Sequence, residues 1–451
     1  MVDGVPADQV VPADQVSVER LALVVDDRVE LAVGAVAAGG ACVARTDEGQ
    51  VVFVRYAVPG ERVIAVITGA TSTYLRADAV EVLTPSPARV EPPCRFFGPG
   101  RCGGCDWQHV ALPDQRSLKA TLIREQLSRL AGLELDVVVE ELSGAVDGLG
   151  WRTRVQFAAS PEGQLGYHRH RSHDLELIDT CLIATPDVVA VGALELLWPG
   201  ASSVEVMADG QQRVVHITGR GATLPPVDAG VVVEGRPVAA PHGLRHTVLG
   251  RHFEVAAGGF WQVHVSAATV LASAVLEGLA AQPGDSVVDL YAGVGLFASL
   301  LAEQVGPTGS VLAVEASQRA CADAARNTVD QPWTRIKTAD VTAKLVTGLV
   351  ERRRAPGRSG SWLPPSQAAG TGGPALLVLD PPRAGAGLEV TAALAALRPR
   401  ALAYVACDPA SFGRDLKVFL AAGWTLASLR AFDLFPMTEH VEMVAILTPP
   451  A

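Results

Sequence analysis

Long hydrophobic runs are missing from this 451-residue sequence. No stretch of about 18 uninterrupted apolar residues occurs, which excludes a simple membrane span. The first residues, Met1-Val-Asp-Gly4, lack the basic region and apolar core of a secretory signal, so the expected compartment is the cytoplasm. Positive charge is also scarce: 37 Lys and Arg against 48 Asp and Glu leave a formal net charge of -11. That excludes a globally basic nucleic-acid binder and leaves room only for a local basic surface. Disulfides are not expected in a cytoplasmic chain, so the seven cysteines read as thiols, metal ligands or nucleophiles. A monomer with no membrane association is the expectation.

The length fits two or three domains. A hexapeptide is duplicated at the start (Val5–Val10, then Val11–Val16), and the lack of any sustained period there predicts a disordered tail. From about Arg28 to Leu83, short β-rich runs alternate with Gly-containing turns, the pattern of a small β-barrel. Four prolines between Pro85 and Pro93 mark a linker. A cysteine cluster follows, then an amphipathic stretch over Leu112–Leu130 with charged residues on one side, then a mixed region to about Gly250. In the last 200 or so residues, apolar strands (Ser286–Leu290, Ser310–Glu315, Ala375–Asp380, Ala401–Cys407) alternate with helical patterns. This alternation predicts a parallel sheet covered by helices. The Arg-, Gly-, Pro- and Ser-rich segment Arg352–Gly373 reads as a solvated surface loop.

Within this α/β region, Asp289-Leu-Tyr-Ala-Gly-Val-Gly295 lies between a buried strand and a helix. Glycines there permit a sharp turn and close backbone approach to a ligand, and an acidic residue ending the next strand can bind ribose hydroxyls. Glu315 fills that place, 20 residues after Gly295. The glycines alone also fit a nicotinamide-binding turn. Two features favour S-adenosylmethionine: the D-x-x-x-G-x-G spacing of class I methyltransferases, and a strand ending in Asp380-Pro-Pro-Arg383. Methyltransferases of amino nitrogens place an aromatic after those prolines, where this chain has Arg383.

The strand Ala401–Ala406 delivers Cys407 to the carboxyl end of the sheet, where open α/β sheets bind ligands. In isolation a cysteine on an apolar strand is a small hydrophobe. The polar cluster Phe435-Pro-Met-Thr-Glu-His-Val-Glu442 in an otherwise apolar terminal segment changes that reading. Carbon 5 of uracil is a poor nucleophile until a thiolate adds to carbon 6 and makes it enolate-like; a base must then remove the carbon 5 proton. Cys407 suits the first role and Glu442 the second, with His440 a candidate assistant. Cys94, Cys102 and Cys105, set among glycines, suit a zinc ion or an iron–sulfur cluster, with Cys181 the candidate fourth ligand. Cys42 and Cys321 read as core residues.

With these motifs in order (F-x-Q-V, D-L-Y-A-G-x-G, D-P-P-R, C-x-P, P-x-T-x-H-x-E), the chain resembles the 5-methyluridine RNA methyltransferase family, in its iron–sulfur branch with an N-terminal TRAM domain. The resemblance spans about residues 26 to 449. It implies Cys407 as nucleophile and Glu442, in preference to Glu439, as base; Gln262, Tyr291, Glu315 and Asp380 as S-adenosylmethionine-binding positions; and a [4Fe-4S] cluster on Cys94, Cys102, Cys105 and Cys181 rather than zinc. The family commonly has Asn after Q-V, and Ser and Asn flanking the nucleophile; His264, Ala406 and Asp408 stand here and are candidates for tuning base recognition. The fold expected is α/β: a Rossmann-like class I methyltransferase domain over 256–451, an OB-like β-barrel (TRAM) over 26–88, a mixed central domain over 89–255, and a tail over 1–25. Arg45, Arg55, Tyr56, Arg62, Tyr74 and Arg76 are the barrel's candidates for gripping RNA. Ribosomal RNA is the favoured substrate and transfer RNA the alternative, with the target uridine flipped toward Cys407. Two competing readings are a nicotinamide oxidoreductase, which leaves Cys407 and Glu442 without a task, and a non-catalytic RNA-binding protein.

Overall fold

The computed structural model describes residues 23–351 and 374–450. The duplicated hexapeptide and the Arg352–Gly373 segment lie outside the described residues. Among those described, no helix is long and apolar enough to cross a membrane.

Strands β1 (Arg28–Ala32), β2 (Cys42–Arg45), β3 (Val51–Arg55), β4 (Arg62–Ala70) and β5 (Tyr74–Thr84) form one sheet, ordered β1-β4-β5-β3-β2. Their residues alternate in burial, so Val52, Val54, Val63, Ala65 and Ile67 point into a shared core. The sheet curls closed after β1, where Gly34 N–H donates to Val43 O (2.7 Å) and Val43 N–H to Ala35 O (2.8 Å).

Helix α1 (Leu112–Ala131) leads out of the cysteine loop and ends at Gly132 in the left-handed conformation. Leu118 and Leu122 pack on the β-barrel, while Ile123 and Leu127 pack on the C-terminal sheet. Strand β6 (Val139–Glu140) then joins the edge of that C-terminal sheet. The central region follows with β7 (Arg154–Ala159), β8 (Leu165–His168), β9 (Leu175–Leu177), α2 (Pro186–Val189), β10 (Ser203–Ala208), β11 (Arg213–Thr218), β12 (Gly230–Val233) and β13 (Arg236–Ala239). Its seven strands run β13-β12-β11-β10-β7-β8-β9, and a hairpin of β14 (Gly243–Val248) and β15 (Arg251–Ala256) completes it.

The rest alternates helix and strand: α3 (Ala267–Leu279), β16 (Ser286–Leu290), α4 (Leu296–Val305), β17 (Ser310–Glu315), α5 (Gln318–Asn327), β18 (Thr334–Thr338), α6 (Ala343–Glu351), β19 (Leu376–Leu379), α7 (Leu388–Leu397), β20 (Ala401–Ala406), α8 (Pro409–Ala421), β21 (Thr425–Phe432) and β22 (Glu442–Thr448). The sheet order is β18-β17-β16-β19-β20-β22-β21-β6. It is not wholly parallel as expected: β22 runs against β20 and β21. The reversal follows from connectivity, because β21 and β22 are joined by the short segment Asp433–Val441, with no crossover helix. Helices cover both faces, so Val287 and Val288 enter different cores.

Segment 433–441 is held from the other half of the chain. Lys119 Nζ donates to Asp433 Oδ1 (2.6 Å) and to Phe435 O (2.9 Å). The side chain of Gln115 accepts from Met437 N–H (2.8 Å) and donates to Trp107 O (3.0 Å), while Asp106 and Trp107 N–H both donate to Met437 O. Although α1 carries charged residues as an amphipathic helix, the Lys119 side chain is 0% exposed and that of Asp433 3%. Burial pulls the Lys119 ammonium below its ordinary pKa, and Asp433 opposes that pull. Breaking a buried pair by removing one partner costs about 3–5 kcal/mol, because the other charge stays buried. Lys119→Ala should therefore lose stability of that order in urea unfolding, and an unchanged midpoint would contradict the buried pairing.

Candidate active site

Cys407 follows β20 directly, and Asp408 caps the next helix, its carboxylate accepting from Ser411 N–H (2.7 Å). Strands β20 and β22 pair with Ala406 opposite Met443, so Cys407, one residue on, faces Glu442 at the start of β22. Asp380 ends the neighbouring strand β19. A thiol and two carboxyls thus meet at the carboxyl end of the sheet.

Burial pushes the Cys407 thiol up to about 12, with Glu442 and Asp380 raising it further and Arg383 opposing. Glu442 is buried, and this together with Asp380 lifts its carboxyl well above the ordinary range. Burial raises Asp380 as well. Glu439 differs: burial works to raise its pKa, but His440 and Arg383 outweigh it and hold the carboxyl below its ordinary value. Arg383 reaches Glu439 Oε1 and His440 Nδ1, each at 3.2 Å. Glu439 is therefore occupied as an ion-pair partner, while Glu442 has the higher proton affinity.

The narrow pocket at Cys407, about 40 Å³, is lined by Arg383, Asp408 and His440, and also by Ala38 and Gly39 from the β-barrel. Of the three departures from the family pattern, two sit in packing. Ala406 is buried in β20, and His264 is buried and stacked on Trp151 at 5.7 Å. Burial lowers His264 to about 4, so it is neutral there. Only Asp408 borders the pocket.

The glycine-containing turn after β16 has the shape of a ligand cradle. Tyr291 (φ 63°) and Gly293 (φ 53°) are both left-handed, and a side chain added at Gly293 would meet nothing within 4 Å. The Glu315 carboxylate accepts from Gly293 N–H (3.0 Å) and Ser317 N–H (2.7 Å) at the end of β17. Asp289 accepts from Ala298 N–H (2.8 Å) through one oxygen and has its other oxygen buried without a partner. The Gln262 side chain, in the segment between β15 and α3, is partly exposed and has no hydrogen-bond partner among the described residues. A ribose and an amino-acid group match this set of a carboxylate, a free amide and an open backbone turn.

Cys94, Cys102, Cys105 and Cys181 line a separate cavity of about 150 Å³. All four are free thiols. Gly104 N–H donates to Cys102 Sγ (3.4 Å), and the Tyr167 hydroxyl lies 3.8 Å from Cys181 Sγ. Among the described residues no three His, Cys, Asp or Glu side chains are arranged to hold one metal ion. Four thiols lining one cavity are the donor type of both zinc and iron–sulfur sites. Cys42 and Cys321 are buried elsewhere in the fold.

Sheet order, reversed β22 and the turn after β16 define a class I methyltransferase fold beside an N-terminal β-barrel. The family model for tRNA (uracil-5-)-methyltransferases matches residues 247–449 and that for the TRAM domain residues 25–80. An RNA methyltransferase of Streptomyces coelicolor is 46% identical over 470 residues, covering 99% of this chain and 97% of the relative. The 23S rRNA (uracil(1939)-C(5))-methyltransferase RlmD of Pseudomonas putida is 31% identical over 436 residues, covering 88% and 89%. A tRNA (uracil-54, C5)-methyltransferase of Pyrococcus abyssi, solved with S-adenosyl-L-homocysteine, superposes with a TM-score of 0.67 over 93% of this chain and 100% of that one, at 20% identity. The chain belongs to the RNA (uracil-5-)-methyltransferase family.

Sequence reasoning missed Lys119, Gln115 and Asp433, which position the segment before Glu442, and the barrel residues Ala38 and Gly39. One signal was present: Gln115, Lys119 and Leu122 recur at helical spacing on one face of α1, and a polar pair on a face bearing Leu122 calls for buried partners. The raised Cys407 pKa fixes a direction for reactivity. Only the thiolate is alkylated, so the ligand-free rate should climb about tenfold per pH unit from about pH 7 to 10. Peptide mapping after iodoacetamide treatment checks this, and a plateau below about pH 9 would contradict it.

Proposed function

We propose that this chain, an S-adenosylmethionine-dependent RNA (uracil-5-)-methyltransferase, modifies a uridine of ribosomal RNA through a covalent cycle on Cys407 with Glu442 as base. The observation that carries the reading is the cross-strand pair Cys407 and Glu442 at the carboxyl end of the sheet. The ribosomal substrate is supported by the 31% identity to the Pseudomonas putida 23S rRNA enzyme along nearly the whole chain.

The Cys407 thiolate adds to carbon 6 of the uracil, forming a C–S bond and moving the ring's electrons onto carbon 5 and its carbonyl. Carbon 5 then forms a bond to the methyl group as the methyl–sulfonium bond breaks. Glu442 takes the proton from carbon 5, the double bond re-forms and Cys407 leaves as thiolate. S-adenosylmethionine, when bound, would supply the electrophilic methyl group. Gln262, Tyr291, Glu315 and Asp380 would hold it, with Gly293 allowing close approach. Arg383 and His440 border the entry to Cys407, and Arg383 favours the thiolate.

Cys94, Cys102, Cys105 and Cys181 would hold a [4Fe-4S] cluster. Methyl transfer requires no electron from it, so its role is to tie the cysteine loop to the central region. Anaerobically purified protein should contain iron and acid-labile sulfide, and Cys181→Ser should lose both; stoichiometric zinc instead would contradict this part.

RNA containing 5-fluorouridine tests the nucleophile, because fluorine cannot leave as a proton does and the adduct is trapped. The parent enzyme should form a denaturation-resistant complex and Cys407→Ala none; an adduct persisting in that variant would refute the assignment. Mapping 5-methyluridine in a strain lacking the gene should show one ribosomal position lost, whereas a lost transfer-RNA position would move the substrate there.

A further inference from the structure

A groove of about 750 Å³ lies between the β-barrel and the central region. One wall is the barrel face, with Phe53 and Tyr74 packed edge to face at 5.3 Å and Arg76 over the Tyr74 ring at 5.1 Å. The opposite wall is the turn between β8 and β9, where Arg169, His170 and Arg171 are exposed. Of the expected barrel residues, Arg55, Tyr56, Tyr74 and Arg76 line the groove; Arg62 pairs with Glu30 and Arg45 bonds Gly49 O elsewhere.

The groove is positive although the chain carries a net charge of -11. Arg55 is paired with Asp106 and Arg169 with Glu176, and Asp78 and Asp174 also line the groove. Arg76, Arg101 and Arg171, however, have no carboxylate at ion-pair distance among the described residues. Partial burial, then Arg55, Arg171 and Arg76, lower the His170 pKa to about 4, so arginines of both walls lie close to this one ring. Partly exposed aromatic rings interleaved with unpaired arginines suit stacked bases and a phosphodiester backbone.

The groove leads to the nucleophile. Ala38 and Gly39 line it, and the same two residues line the Cys407 pocket. Their turn is fixed in place: Trp107 Nε1 donates to Gly40 O (2.9 Å), and a side chain at Gly40 would come within 2.8 Å of Glu439 Cβ. The facing turn is fixed as well, by backbone contacts of the cysteine loop. Gly103 N–H donates to His168 O (3.1 Å), Cys102 bridges Arg169, and a side chain at Gly103 would strike His168 O at 2.8 Å.

We propose that the Arg169–Ser172 turn clamps a single-stranded segment of the RNA substrate against Phe53, Tyr74 and Arg76, and that the strand is led past Ala38 and Gly39 to Cys407. The clamp rests on the RNA-methyltransferase reading and adds to it a contact surface in the central region and a path between two domains. Only unpaired RNA presents base faces that can stack on the aromatic wall.

Anisotropy with a labelled single-stranded uridine-containing oligoribonucleotide tests the clamp, with the full-length protein. Arg76→Glu/Arg171→Glu should bind at least tenfold more weakly, and its log affinity against log salt should flatten by about 0.7 per arginine lost. Its S-adenosylhomocysteine affinity and melting temperature should match the parent's. Should the double variant melt early, Arg171→Glu alone, on an exposed turn, should still weaken binding severalfold. Ala38→Trp, at an exposed position, should retain RNA affinity but slow 5-fluorouridine adduct formation at saturating RNA. Parental affinity in the arginine variants, a parental adduct rate in Ala38→Trp, or equal binding of the same sequence as a duplex would overturn the clamp. The underlying reading has its own readout: if the parent binds RNA and forms the adduct, a failed clamp leaves it intact, and if the parent forms none, both fall.

Discussion

A buried ion pair between Lys119 and Asp433 is the constraint on which the site depends. Segment 433–441 has no regular structure to hold it, yet it must bring the chain back into the sheet so that Glu442 lands opposite Cys407. A segment of this kind ordinarily lies on the surface and moves. Here its first carboxylate, one carbonyl and the backbone of Met437 are bound by α1 and by Asp106 and Trp107. The desolvation cost of two charges is offset by short bonds that also satisfy backbone groups. These bonds fix where Glu442 sits relative to Cys407, and in a site that does covalent chemistry small misplacements cost large factors in rate.

The same contacts explain why the chain folds as one interlocked body. Helix α1 is shared between the barrel core and the catalytic core, and β6 extends the catalytic sheet from the central region. The cysteine loop lies between these commitments: its end bonds Met437 and its middle bonds the β8–β9 turn. A group held by its three thiols and by Cys181 would tie this loop to the central region.

Much of the catalytic region was legible because its central strands are buried on both faces and read as unbroken apolar runs. Val287, Leu312, Leu377 and Leu402 are examples. The alternating barrel strands were legible for the opposite reason, one buried face each. Strand β18 (Thr334–Thr338) is polar and lies at the sheet edge, so no periodicity announces it. The reversal of β22 depends on the shortness of a connection, a property of topology and not of its residues. The motif residues Cys407, Glu442, Asp380, Glu315 and Gly293 were visible as strand ends and turn positions. Burial of Lys119 was not, because its partner lies 314 positions away. Ala38 and Gly39 bear no chemistry of their own; only the closure of the barrel against Glu439 brings them to Cys407.

The proposed cycle assigns Cys407 and Glu442 successive steps at one uracil. Incubating the Glu442→Gln enzyme with uridine-containing RNA and S-adenosylmethionine, then denaturing and mapping the peptides, tests this most directly. With the base removed, methyl transfer should proceed but release should stall, leaving a stable complex in which Cys407 is linked to a 5-methylated pyrimidine. Linkage through any other residue, or free 5-methyluridine RNA released at the parental rate, would contradict the account.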